Sequence, residues 1–256
     1  MIDPDRLSQI DTLWTVVRRA HDDGASQVTD AQQALLERYG PAAQRYLRAV
    51  VKDRDGAEEV YQDFAVKFLR GDFAAVSPER GRFRAFLKTV LFRMAMDFHR
   101  KGMRGPKMHE MASDFDPAGD DGNAANHEQF VASWREELLA KAWAALERHE
   151  AESKKPMHTV LRVRVDQPDA HSPELAVAVS QRLGREISAE NVRVMLHRAR
   201  EKFGELLLDE VVHSLDRPTR DDLEDELGEL RLLEYCQPAL AKRTNGEGRE
   251  AKGDEV

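Results

Sequence analysis

Between Glu79 and Lys107 the sequence reads ERGRFRAFLKTVLFRMAMDFHRKGMRGPK, nine basic residues against two acids. That local net charge of +7 sits in a chain whose formal total is −8. Arg82, Arg84, Lys88, Arg93, Arg100 and Lys101 are spaced to neutralise phosphates, and phenylalanines interleave them. On a helical wheel of Arg82 to Lys101 the aromatic residues divide into two sets. Phe83, Phe86, Leu87, Val90, Leu91, Met94 and Phe98 form one continuous stripe and are expected core. Phe92 and Met96 fall on the roughly opposite side, near Lys88, Thr89, Arg93 and His99. An aromatic ring among cations suits single-stranded nucleic acid, because the ring offers an unpaired base a stacking surface of ~1–3 kcal/mol. The alternative is a solvated basic face with Phe92 buried by another helix. The concentration of charge favours nucleic acid, since attraction to acidic partners is its simplest consequence.

A second arrangement lies in SPELAVAVSQRLGREISAENVRVMLHRAREKFGELLLDEV. Ser172 is expected to cap a helix with Pro173 in its first position, and Leu183-Gly184 to end it. Ser188 then caps a longer helix with Glu190 near its positive end. Val192, Leu196, Ala199, Phe203, Leu206 and Leu207 make the buried stripe of that helix. Arg193, Val194, His197, Arg198 and Arg200 are left facing outward, with Asn191 a further candidate contact. In a helix-turn-helix the second helix enters the major groove, where arginine reads guanine or holds phosphate. An ordinary helical hairpin with a charged face gives the same local pattern. The separate basic, aromatic-bearing helix in the same chain favours the DNA-reading alternative.

The elements that must position these residues read as helices throughout. Leu35, Leu36, Tyr39, Ala43, Tyr46, Leu47, Val50 and Val51 recur at helical spacing, as do Trp14, Val17 and Ala20, and Gly40-Pro41 is expected to kink or break the run. DRDGAEEVYQDFAVKFLRGDF is a further helix with Asp55 as its expected N-cap and Gly71 as its stop. HTVLRVRV alternates like a strand, but its neighbours argue for helix. Residues 105–128 carry Gly, Pro, Asp and Asn with no period and read as an acidic flexible linker. Within it DFDPAGDDG is preferred as solvated linker over a calcium loop, because Ala118 and Ala125 stand where oxygen ligands would be needed. Asp209 to Glu234 holds ten acids against three arginines. This acidic C-terminal stretch is expected to be a solvated helix followed by a disordered end, in preference to a regulatory extension.

The expected fold class is therefore all-α, with two small helical domains on a flexible linker and a helix-turn-helix in the second. Their expected limits are 1–104, the linker 105–128, 129–215, and an extension 216–256. Hydrophobic content of 41% with 34% charged residues suits small helical domains better than one thick core. Ten prolines and fifteen glycines are too few for a turn-rich β-sandwich, and the single Cys236 excludes a disulfide framework. The start MIDPDRLSQIDTLW lacks a signal-peptide pattern, and no apolar run approaches the roughly twenty residues of a membrane span. A cytoplasmic location is expected. The nine histidines are scattered, and no His-Glu-x-x-His, phosphate-binding glycine loop or nucleophile elbow occurs. No catalytic residue, metal or cofactor is expected, and the chain reads as a non-enzyme.

With these motifs in order, the chain resembles bacterial RNA polymerase sigma factors of the two-domain extracytoplasmic-function (ECF) type, most like members from planctomycete-like bacteria. The resemblance spans about residues 11–215, and TLWTVVRRA near the start is similar to this subgroup. DGAEEVYQDFAVKFL is similar to the family segment that docks on the β′ clamp helices of polymerase, which implies that role for Glu58, Glu59, Gln62, Asp63 and Phe64. Five acids and one arginine between Asp53 and Asp63 agree, since such a surface repels DNA and suits a protein. FRAFLKTVLFRMAMDFHRK resembles the segment that melts the downstream promoter element. NVRVMLHRAREKF resembles the helix that reads the upstream one, from Ser188 and Asn191 onward. The implied partners are core polymerase (β′ clamp helices and β flap), promoter DNA, and an anti-sigma or other regulatory protein. The alternative function is a stand-alone helix-turn-helix regulator that binds duplex DNA without polymerase.

Overall fold

Ala25–Val51 form one helix, α1, that runs through Gly40-Pro41 without the expected break. An interior proline removes one backbone hydrogen bond and costs roughly 3 kcal/mol. Burial of Tyr39, Tyr46, Leu47 and Val51, at about 1.5–3 kcal/mol for each large apolar side chain, outweighs that cost. The computed structural model describes residues 25–70, 72–73, 83–104, 124–215 and 218–250. The TLWTVVRRA segment, Gly71, Arg82, the 105–123 part of the expected linker and residues 251–256 lie outside those described, whereas 242–250 of the expected disordered end are helical. Among the described residues every regular element is a helix, and the fold is all-α.

A two-residue connection joins α1 to α2 (Arg54–Arg70). Lys52 takes the left-handed conformation at φ 60°, which turns the chain back on itself. The cap of α2 is Asp53 rather than Asp55, its carboxylate accepting the Gly56 N–H at 2.7 Å. Asp55 instead lies in the first turn, where its charge still favours the positive helix end. The third helix, α3, is Phe83–Arg104. The three helices pack together around Val60, Phe64 and Phe68 of α2 and Phe86, Leu87, Val90, Leu91, Met94 and Ala95 of α3. Two glycines permit the close approach. A β-carbon on Gly40 would run into the Tyr61 hydroxyl, and one on Gly56 into the Phe98 ring.

Helix α4 is Ala124–Ser153, so Ala124–Glu128 are the first turn of a helix and not flexible linker. Its opening half lies on α1 through Phe130 and Trp134, and the first compact unit extends to Glu137. The expected division at 129 falls inside that packed segment.

The second unit begins at Leu138 with the closing half of α4. It continues through α5 (Met157–Asp166), α6 (Ser172–Leu183), α7 (Ala189–Val212), α8 (Arg220–Glu229) and α9 (Leu233–Glu250). The strand-like HTVLRVRV stretch is in α5, where Val160, Leu161 and Val163 are buried, a helical and not an alternating selection. One core cluster joins α5, α6 and α7 through Val160, Val163, Leu175, Val179, Val192 and Leu196. A second joins α4, α5 and α7 through Leu146, Leu161 and Ala199, with Trp143 and Phe203 against it. The C-terminal stretch is not a solvated helix: α8 and α9 pack on α7 and bury Leu223, Leu227, Leu230, Leu232, Cys236 and Leu240. Gly204 of α7 lets the α9 backbone approach, since a β-carbon there would stand 2.6 Å from the Tyr235 carbonyl oxygen.

Candidate nucleic-acid interface

The first unit presents an acidic face on α2 and a basic helix, α3. On α2, Glu59, Gln62 and Asp63 are exposed and Glu58 is half-buried. Phe64 departs from the expectation: it is 2% exposed and packs among Tyr61, Phe68 and Phe73, so it supports the surface from beneath. The helical spacing that brings Glu59, Gln62 and Asp63 onto one face also brings Val66 and Leu69 there, at 44% and 43% exposure. Both escaped the sequence reading, although the three- and four-residue intervals continuing from Glu59 point to them. This face is acidic with an apolar end. Behind it, burial and then the negative charge of Glu58 push the Tyr61 phenol above its ordinary value.

On α3 the expected core stripe is buried from Phe86 to Met94, while Phe98 is half-buried against Gly56. Arg100 and Lys101 are exposed, and Arg100 pairs with Asp97 at 2.9 Å. Lys88, Arg93 and His99 are half-buried. Phe92 and Met96 are half-buried too, so the ring is not an open platform but shows only part of its surface. Arg84 is a correction: at 6% exposure its guanidinium belongs to the interior of the unit, not to a DNA-facing surface. Thr89 is also buried, its hydroxyl donating to the Ala85 carbonyl at 3.1 Å.

In the second unit the local signals place the arginine face. Gly184 takes the left-handed conformation at φ 63° and ends α6. His171 occupies the N-cap position of α6 expected for Ser172, its N–H donating to Glu174 Oε2 at 2.7 Å. Pro173 follows in the first turn, where its missing N–H has no helical partner to lose. The Ser180 hydroxyl accepts the Ile187 N–H at 2.9 Å and donates to the Ala176 carbonyl at 2.7 Å, which clips the five-residue turn. Ser188 then caps α7, accepting the Asn191 N–H at 3.2 Å. The consequence is an α7 whose Val192, Leu196 and Ala199 are fully inward. Asn191, Arg193, Val194, His197, Arg198 and Arg200 are all exposed. Arg193 Nε donates to Ser172 Oγ at 3.0 Å, and His197 Nδ1 lies 3.3 Å from Glu201. Three guanidiniums, an imidazole and an amide on one accessible helical surface have the donor set that phosphates and guanine edges accept. Among the described residues no group of acids, histidines and cysteines has metal-binding geometry, and no helix is long and apolar enough to cross a membrane.

The first unit thus carries an acidic face on α2 and a basic surface on α3. Residues 35–105, which contain α2, α3 and most of α1, match the family model of sigma-70 region 2. That match supports a sigma factor of the sigma-70 kind, acting in promoter recognition and transcription initiation through binding to RNA polymerase core. It ends at residue 105 and does not reach α4–α9. No curated protein and no solved structure matches the chain.

Proposed function

We propose that the chain is a dissociable sigma factor of the two-domain ECF type, of the planctomycete-like subgroup, working from the cytoplasm. The observation that carries this reading is the sigma-70 region 2 match falling on the helices that bear the acidic and basic surfaces. In this reading Glu58, Glu59, Gln62 and Asp63, extended by Val66 and Leu69, meet the β′ clamp helices. Lys88, Phe92, Arg93, Met96, His99, Arg100 and Lys101 engage the downstream promoter element and hold separated bases, and α6–α7 act as a helix-turn-helix that reads the upstream element as duplex. The β flap is the contact for the second unit, and an anti-sigma protein restrains the free factor. Catalysis belongs to the polymerase, and the chain itself is not an enzyme.

The acidic total fits this division. A chain of formal charge −8 repels bulk DNA, so tight promoter binding is reserved for the complex with core enzyme. Run-off transcription from genomic templates, with and without the protein added to purified core polymerase, tests the proposal. New discrete transcripts are expected only with the protein. Tight, palindrome-specific duplex binding by the chain alone, with no association with core, would instead establish a stand-alone regulator.

A further inference from the structure

Along α7 the residues His197, Glu201, Glu205 and Asp209 follow one another at four-residue intervals, so a line of carboxylates continues directly from the arginine face. At 1.5 Å rise per residue, Glu201 stands roughly 6 Å along the axis from His197, and Asp209 roughly 18 Å. The Debye length at physiological salt is about 8 Å. Glu201 therefore lies within reach of phosphates bound at Arg193–Arg200, Glu205 at the margin, and Asp209 beyond it. Left bare, the nearer two carboxylates would repel the DNA that the arginines attract.

They are not bare. Lys242 of α9 places Nζ 3.2 Å from Glu201 and 3.3 Å from Glu205, bridging both. Lys202 holds the other oxygen of Glu205 at 3.3 Å, so the charge that Lys242 cancels is chiefly that of Glu201. Arg243 pairs with Asp209 at 3.2 Å. The hydrogen bond from Lys242, its charge, and the charges of His197 and Arg198 hold the Glu201 carboxyl below its ordinary value. The Lys242 side chain is 56% exposed, and a surface pair of this kind contributes little to stability. Its effect is therefore sought in the charge it cancels and not in the folding it supports.

We propose that the C-terminal helix α9 completes the DNA-reading surface of α7, with Lys242 as a positioning residue that neutralises Glu201 and, in part, Glu205 beside the arginine face. This rests on the reading of α7 as the duplex-reading helix. It assigns the C-terminal extension a part in DNA affinity, and it separates Lys242 from its neighbour, because the pair made by Arg243 lies too far from the phosphates to matter.

The test is fluorescence anisotropy of the chain assembled with core polymerase, on a labelled duplex taken from a template that it transcribes, across a salt series, with thermal melts of each variant alongside. Lys242→Ala is expected to weaken low-salt binding roughly threefold to tenfold, an effect that fades as salt rises. Lys242→Arg keeps wild-type affinity, and Arg243→Ala leaves binding unchanged. Adding Glu201→Gln and Glu205→Gln to Lys242→Ala restores binding, which a purely structural role for the lysine would not do. Unchanged affinity for Lys242→Ala, or no recovery with the two glutamines, overturns the inference. Should the joint charge reversal of Arg193, Arg198 and Arg200 leave binding intact, it is the reading of α7 that fails, and the inference with it.

Discussion

The indole of Trp134 lies flat on the ring of Tyr39, centroids 4.9 Å apart and planes within 4° of parallel. One turn away Phe130 meets Tyr46 edge-on at 5.1 Å, and Arg45 reaches Glu136 at 3.2 Å and the Ser133 carbonyl at 3.2 Å. The start of α4 is thus part of the first unit's core. Trp134→Ala is expected to destabilise that unit by about 3–5 kcal/mol. Hydrogen exchange in α1 should accelerate while exchange in α6 and α7 does not. A protein ending before Ala124 should show the same loss.

Gly40 and Gly56 set helix propensity against packing. Alanine in a helix is favoured over glycine by roughly 1 kcal/mol, but here its methyl group meets Tyr61 or Phe98. Overpacking costs typically 1–3 kcal/mol, so both Gly→Ala changes should lower the urea midpoint. Gly228 has open space around the same position, and Gly228→Ala should raise it.

On α2, exposure separates contact from support. Gln62→Ala with Asp63→Ala, or Val66→Glu alone, should weaken association with core polymerase at unchanged melting temperature. Phe64→Ala, which empties a buried site, should cost about 3–5 kcal/mol of stability and lose polymerase binding only as a consequence. Co-sedimentation with core enzyme beside thermal melts distinguishes the two.

Phe92 is half-buried, yet it lies on the opposite side of α3 from the core stripe. Phe92→Ala should therefore impair strand opening more than closed-complex formation. Permanganate reactivity of promoter thymines reads the first and footprinting at low temperature the second. Equal loss of both would place the ring in folding and not in melting.

Burial pushes the Cys236 thiol up to about 12 from 9.0. The folded chain keeps that proton while the unfolded chain releases it above pH 9, so stability falls as pH rises from there. The slope for one such group approaches about 1.4 kcal/mol per pH unit. Cys236→Ala should flatten the decline between pH 9 and 11 in urea titrations, and the native thiol should resist alkylation at neutral pH.

Local chemistry was legible in part, since the caps expected at Asp55 and Ser172 fall on Asp53 and His171, and tertiary choice was not. The Ser188 cap and the Gly184 stop depend on residues within one turn, and both are where their types require. The α3 stripe from Phe86 to Met94 followed from periodicity alone. Periodicity did not reveal that Arg84 and Phe64 face inward, because a wheel sorts residues into sides without saying which side a neighbouring helix covers. Pro41 looked like a break because propensity was weighed without the burial around it. Acidic composition likewise concealed the α8–α9 packing, since the leucines that dock are few and spread among aspartates and glutamates.

Gly204 carries a consequence beyond this one chain. A hydrogen atom is all that the α9 main chain leaves room for at that point on α7. A relative that has shed its tail is released from that demand and can place any helix-forming residue there. A relative with any larger residue at position 204 cannot seat a trailing helix as closely as this chain does.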